Sequence, residues 1–280
     1  MITDCHVHIE LLEEFRPEAL ELFCRNRNGF ERVQRMVHSP AEFLRYLDET
    51  GVDRAVLINY VAPEVIGLTN RVNEWVADYC KAAPKRLIPC GGLHPRHSTN
   101  ILSDLENLLR QGIRLIKIHP PHQLFYPNDY LNGLRELEII YRAAEANGIP
   151  VMFHTGTSVF PGARNKYGDP IYLDDVAVDF PKMKIIMAHG GRPLWMQTAF
   201  FLLRRHANVF LDVSGIPPAS LLTYFPRLEE IAPKTLFGSD WPGPGVSEIG
   251  ANVAAIRGLA ISEGAKQAIL SENALKIWPE

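Results

Sequence analysis

At 280 residues, 46% of them apolar, the chain is long enough for one large α/β domain; 29 basic residues against 32 acidic ones give a formal charge of −3. Neither sign forms a long block, which counts against nucleic acid or an anionic membrane surface as partner, and no run reaches the ~18 consecutive apolar residues of a membrane span. Met1 leads almost directly into a motif-bearing strand, so no signal peptide is expected, and Cys5, Cys24, Cys80 and Cys90 lack C-x-x-C spacing and read as reduced thiols of a cytoplasmic protein.

The first predicted strand, Ile2 to His8, carries Asp4-Cys5-His6-Val7-His8. Side chains alternate along a strand, so Asp4, His6 and His8 share one face and two imidazoles converge, as a grip on a divalent ion requires. The competing reading is a buried strand whose histidines bond backbone carbonyls. Glu10 to Ser39 follows as a loop-plus-helix excursion with Arg16, Arg25, Arg27, Arg32, Arg35 and His38, a basic set suited to an anionic substrate or to a solvated helix face.

Helical periodicity then spans Ala41 to Thr50, before a strand over Arg54 to Tyr60. The alternation continues with helix Asn70 to Lys81, strand Arg86 to Leu93, helix Leu102 to Gln111 and strand Arg114 to His119. Helix Leu131 to Asn147 and strand Pro150 to His154 come next, then a long connection, Gly156 to Asp175, expected to act as a lid. Strand Lys184 to His189, helix Pro193 to His206 and strands Val209 to Val213 and Thr235 to Ser239 complete the series. Gly51, Gly112 and Gly148 stand where left-handed helix caps belong. Eight strands alternating with helices predict a single-domain (β/α)8 TIM barrel over residues 1–280, of the α/β class.

Polar residues fall at the strand ends: His6, His8, Asn59, His94, Lys117, His119, His154, His189, Asp212 and Asp240. In such a barrel all carboxyl ends meet at one mouth, where active sites are built.

His6-x-His8, His154 in Phe-His-Thr-Gly, His189 in Ala-His-Gly-Gly, and Asp240 in Phe-Gly-Ser-Asp-Trp-Pro resemble the amidohydrolase superfamily. The likeness is greatest to the amidohydrolase-related branch that includes aminocarboxymuconate-semialdehyde decarboxylase and γ-resorcylate decarboxylase. It extends to Leu270-Ser-Glu-Asn-Ala-Leu275, which resembles the family's closing helix. The resemblance implies one catalytic divalent metal, zinc by expectation with manganese, iron or cobalt as alternatives, held by His6, His8, His154 and Asp240. Asp240 would also take a proton from the metal-activated water, and His189 would donate to an oxyanion or shuttle a proton. Lys117 occupies the place of the carbamylated lysine of binuclear relatives, which leaves a two-metal site as the alternative.

Lys117, His119 and Arg192 are the expected substrate contacts, with Trp241 as a pocket wall; Asp4 is expected to orient a ligand histidine, and His94 and Asn59 to line the mouth. The expected reaction is hydrolysis of a small, anionic ester, lactone or amide, with non-oxidative decarboxylation of a small carboxylated substrate as the alternative. A metal-dependent nuclease and a barrel that only binds are weaker readings, the first for want of a basic stripe, the second because the ligand set is intact. The expected partner is a small molecule, and the branch is compatible with a homodimer.

Overall fold

The β-rich runs of the sequence become eight strands in the computed structural model, which describes residues 1–25 and 29–279. These are β1 (Thr3–Val7), β2 (Arg54–Leu57), β3 (Leu87–Gly91), β4 (Leu115–Ile118), β5 (Val151–His154), β6 (Ile185–Ala188), β7 (Val209–Asp212) and β8 (Thr235–Leu236). They pair in parallel in sequence order. The ring is closed by Cys5 N–H to Phe237 C=O (2.9 Å), Asp240 N–H to His6 C=O (2.9 Å) and His8 N–H to Trp241 C=O (2.7 Å). The architecture is a (β/α)8 TIM barrel. Almost every strand residue is buried, because helices cover the outside while side chains fill the inside.

All five periodic segments form helices, within a few residues at the ends: Pro40–Thr50, Arg71–Cys80, Ile101–Arg110, Arg135–Ala146 and Met196–Arg205. Ser39 caps the first of these through Glu42 N–H, and Gly51 ends it at φ +70°, a left-handed geometry that a Cβ would strain. The excursion after β1 holds two helices, Pro17–Cys24 and Phe30–His38. The closing segment enters through a π-helical stretch, Ala268–Glu272, before an α-helix, Asn273–Ile277. Asn273 anchors it by donating to the carbonyls of Ala232 (2.7 Å) and Thr235 (2.8 Å). No helix among the described residues is long and apolar enough to cross a membrane.

Register explains what meets at the mouth. His154 lies opposite Ala188 and Ala188 opposite Asp212, so the ends of β5, β6 and β7 are level. Lys117 pairs with Met152, which seats the lysine a full pleat deeper than His154 and puts His119 beside it. Between Asp4 and Val7 the β1–β2 register slips, an irregularity over Cys5 and His6.

Candidate metal centre and substrate cavity

Chain alternation and register deliver His6, His8, Lys117, His119, His154, His189, Arg192 and Asp240 to one cavity of about 770 Å³, its open mouth included. Its concave shape and few convergent polar groups suit a small molecule. At its centre, His8 Nε2 is 3.1 Å and His6 Nε2 3.4 Å from the same oxygen, Asp240 Oδ1. Ligand-capable atoms of His6, His189 and Asp240 all lie within 4.8 Å of one another. The His154 ring stands edge-on to His189 with centroids 4.7 Å apart. His189 and Asp240 have φ of +66° and +68°, backbone conformations that cost non-glycine residues of order 1–3 kcal/mol and persist where surrounding structure imposes them.

His6 is oriented by Asp212 at the end of β7, although 206 residues separate them. Its Nδ1–H donates to Asp212 Oδ2 at 2.6 Å, and the carboxylate is fixed by Ser214, whose N–H (2.8 Å) and Oγ–H (2.7 Å) both donate to it. This network assigns the tautomer that leaves Nε2 of His6 as a lone pair. That lone pair has no hydrogen-bond partner and faces the Asp240 carboxylate. Two acceptors 3.4 Å apart with no proton between them repel; an ion about 2.1 Å from each would hold them about 3.4 Å apart and remove the repulsion. His154 Nε2 is a second buried nitrogen without a partner. The donor set therefore fits a divalent transition ion.

Burial, helped by the Lys117 charge, lowers the His6 imidazole to about 4 against the pull of Asp212. Burial also lowers His189 to about 3 and drives His154 and His119 well below the ordinary histidine range. These imidazoles are neutral, as ligands must be. His8 differs: burial opposes its charging, but the carboxylates of Glu10 and Asp240 outweigh it and raise it to about 10. A metal would displace that proton. Burial likewise opposes ionisation of Asp240, yet His189, His8 and His6 around it hold its carboxyl well below the usual range. Burial lowers the Lys117 ammonium, with Asp212 offsetting part of the effect, and its Nζ has no hydrogen-bond partner.

Several sequence expectations change. Trp241 is not in the cavity: following inward-facing Asp240, it points out of the barrel and packs between Phe43 (6.4 Å, stacked) and Tyr46 (4.7 Å). Asp4 orients no imidazole; its Oδ1 accepts the main-chain N–H of His6 (3.1 Å) and Ser239 (3.0 Å), tying β1 to the segment after β8. Burial raises the Asp4 carboxyl to about 7. Asn59 donates to Ile9 C=O at 2.9 Å, and His94 is buried away from the cavity lining. The excursion's arginines are engaged outside it: Arg16 with Pro63 C=O, Arg25 with Glu21, Arg32 with Glu49 and Arg35 with Glu42. Arg27 lies outside the described residues. That excursion contributes Glu10 and Phe23 to the wall, and the connection after β5 contributes Thr157 to Phe160.

The structure also adds residues. His122, on the short helix Pro120–Gln123, stacks on His119 at 3.5 Å, and His119 stacks on His154 at 3.9 Å. His122 bonds Tyr60 Oη (3.0 Å) and Ser158 Oγ (2.7 Å), linking the connection after β5 to the imidazole stack. Asp212 was visible as a strand-end carboxylate; Ser214, Tyr60 and His122 carry no local signal of their roles beyond the Pro-Pro-His turn.

Barrel, converging imidazoles and carboxylate define a protein of the metal-dependent amidohydrolase class. The amidohydrolase family model matches residues 3–279, and the chain belongs to that family. Similar solved structures include an uncharacterized TIM-barrel protein from Bordetella bronchiseptica, 22% identical, with TM-score 0.75 over 99% of this chain and 97% of that one. Another is 4-oxalomesaconate hydratase from Rhodopseudomonas palustris, 22% identical, with TM-score 0.66 over 100% of this chain and 96% of the other. A third is 5-carboxyvanillate decarboxylase from Novosphingobium aromaticivorans with bound manganese, 15% identical, with TM-score 0.66 over 98% and 95%. At these identities the likeness speaks for the fold. No curated protein sequence matches.

Proposed function

We propose that the protein is a hydrolase of a small anionic carbonyl compound, an ester, lactone or amide, using one divalent ion, Zn2+, held by His6, His8, His154 and Asp240. The observation that carries this reading is the Asp240 carboxylate oxygen shared at 3.1 and 3.4 Å by His8 and His6 beside a small-molecule cavity. The bound ion would supply Lewis acidity, lowering the pKa of a coordinated water toward neutrality and polarising a carbonyl. Asp240, ionised and facing the cavity, takes the proton of the attacking water. His189 donates Nδ1–H to Ser214 C=O at 2.8 Å, which leaves its other ring nitrogen to accept that proton and return it to the leaving group. Arg192, whose buried Nε has no hydrogen-bond partner, Lys117 and His119 bind the substrate's carboxylate. Four scattered cysteines without C-x-x-C spacing support a reducing, cytoplasmic setting.

The presence of Lys117 and Arg192 in one cavity favours a second reading, non-oxidative decarboxylation, in which they hold carboxylates while His189 protonates carbon. Product analysis with a panel of carboxylated lactones, esters and aromatic acids tests both. Hydrolysis incorporates oxygen from ¹⁸O-labelled water into the product, whereas decarboxylation releases carbon dioxide and incorporates solvent deuterium at carbon. Absence of turnover by metal-loaded protein across the panel would count against both.

A further inference from the structure

A second cluster of ligating side chains stands outside the cavity at the barrel's mouth. Glu64, in the connection after β2, and His94 and His97, in the connection after β3, bring ligand-capable atoms within 4.8 Å of one another. Glu64 reaches both imidazoles: one carboxylate oxygen pairs with His97 Nε2, and the other lies 3.6 Å from His94 Nε2. The two rings stand edge to face with centroids 4.3 Å apart.

His94 is the telling member. It is only 2% exposed and packs edge-on against Phe125, yet its Nε2 has no hydrogen-bond partner. Leaving a buried polar nitrogen unpaired is costly, because it gives up its bond to water and gains none in return. At 3.6 Å the Glu64 oxygen is too far for a good hydrogen bond, but the separation is close to the roughly 3.4 Å edge between two ligands of one tetrahedral ion.

We propose that Glu64, His94 and His97 form a separate peripheral metal site, a two-histidine, one-carboxylate set suited to Zn2+ or a similar borderline transition ion, with the remaining position open to water. Glu64 and His97 are 38% and 47% exposed, so the ion exchanges with solvent. Ligation through His94 Nε2 places the ring's proton on Nδ1, which gives up the long 3.3 Å hydrogen bond from Arg96 N–H. The site is therefore weaker than the central one. An ion here joins the connection after β2, which carries Tyr60 and Ile66 into the cavity wall, to the connection after β3, and so braces the mouth. The proposal stands apart from the catalytic reading, since it shares no residue with the central cluster.

The test uses tag-free protein with its central site filled, dialysed against increasing Zn2+ alone, with bound metal counted by mass spectrometry. Wild type takes up one additional, saturable ion per chain. His97→Ala and Glu64→Gln, both at exposed positions, weaken that uptake by about tenfold or more and leave the first ion in place. The His6→Ala/His8→Ala variant loses the first ion and keeps the second. Added zinc raises the melting temperature of wild type and not of His97→Ala. The proposal is overturned if no second saturable ion binds, or if the extra binding is unchanged in both peripheral variants and so reflects adventitious surface uptake.

Discussion

Asp212→Asn isolates the orientation of His6 from its identity as a ligand. The Asp212 carboxylate is fully buried, accepts His6 Nδ1–H at 2.6 Å, and takes two further hydrogen bonds from Ser214. Asparagine matches its shape but offers one acceptor oxygen and an NH2 group. The fixed Ser214 N–H holds the amide oxygen at the Oδ1 position, which turns the NH2 toward His6 and the Ser214 hydroxyl, free to rotate and accept. The imidazole then moves its proton to Nε2, the atom that faces Asp240, and stops being a ligand in that tautomer. Losing a partner of this kind typically weakens metal binding about 10- to 100-fold, or about 1.4 to 2.7 kcal/mol. Competition with a chromogenic chelator measures the affinity, and chemical denaturation of the metal-free protein measures the fold. The expected result is weaker metal binding with metal-free stability within about 1.5 kcal/mol of wild type, since a buried charge is removed along with its hydrogen bonds. Unchanged metal affinity in Asp212→Asn would show that Asp212 does not set the His6 tautomer.

Three further outcomes follow from the same geometry. A Cβ at Gly238 would lie 2.3 Å from Asp212 Oδ1 and 2.8 Å from His6 Cβ, so Gly238→Ala should destabilise by about 1–3 kcal/mol and release the metal; a thermal melt indistinguishable from wild type counts against it. Arg192→Leu should raise KM for carboxylated substrates by about 10- to 100-fold, as loss of a charged hydrogen-bonding group does, and have little effect on uncharged analogues; equal effects on both would remove Arg192 from carboxylate recognition. In metal-free protein, His6 at about 4 and His122 and His189 at about 3 lie below the ordinary 6.5, so the unfolded chain takes up protons that the folded chain refuses. Asp4, raised to about 7, acts in the opposite direction but is one group against these three and the likewise lowered His94, His119 and His154. Stability therefore falls as pH drops from about 6.5 toward 4, by about 1.4 kcal/mol per pH unit for each net proton, and a flat denaturation profile across that window would contradict the burial argument.

The parts of the site that were legible in the sequence are those set by local periodicity. His6 and His8 share a face because strands alternate, and His154, His189 and Asp240 reach the same mouth because parallel strands end on one side. The same alternation places Trp241 outside the barrel, next to Phe43 and Tyr46, and motif adjacency to Asp240 obscured it. Asp4 shares the inward face with His6, but main-chain amides of His6 and Ser239 reach its carboxylate first. The Asp212–His6 contact spans 206 residues and depends on which strands end level, information that exists only once the barrel has closed. His122 escaped for a related reason: its stack on His119 and its bond to Tyr60 arise from a tight turn after Pro120 and Pro121 and from the connection after β2, two strands away in the barrel.

Everything proposed for the cavity depends on His6, His8 and Asp240 converging on an ion. Metal content of tag-free protein, purified without added metal, tests it most directly in wild type beside His6→Ala/His8→Ala. Wild type should hold about one tightly bound divalent ion per chain, lost in the double variant, with no mass increase on Lys117. No ion after zinc, manganese or cobalt loading, or undiminished content in the double variant, would contradict it.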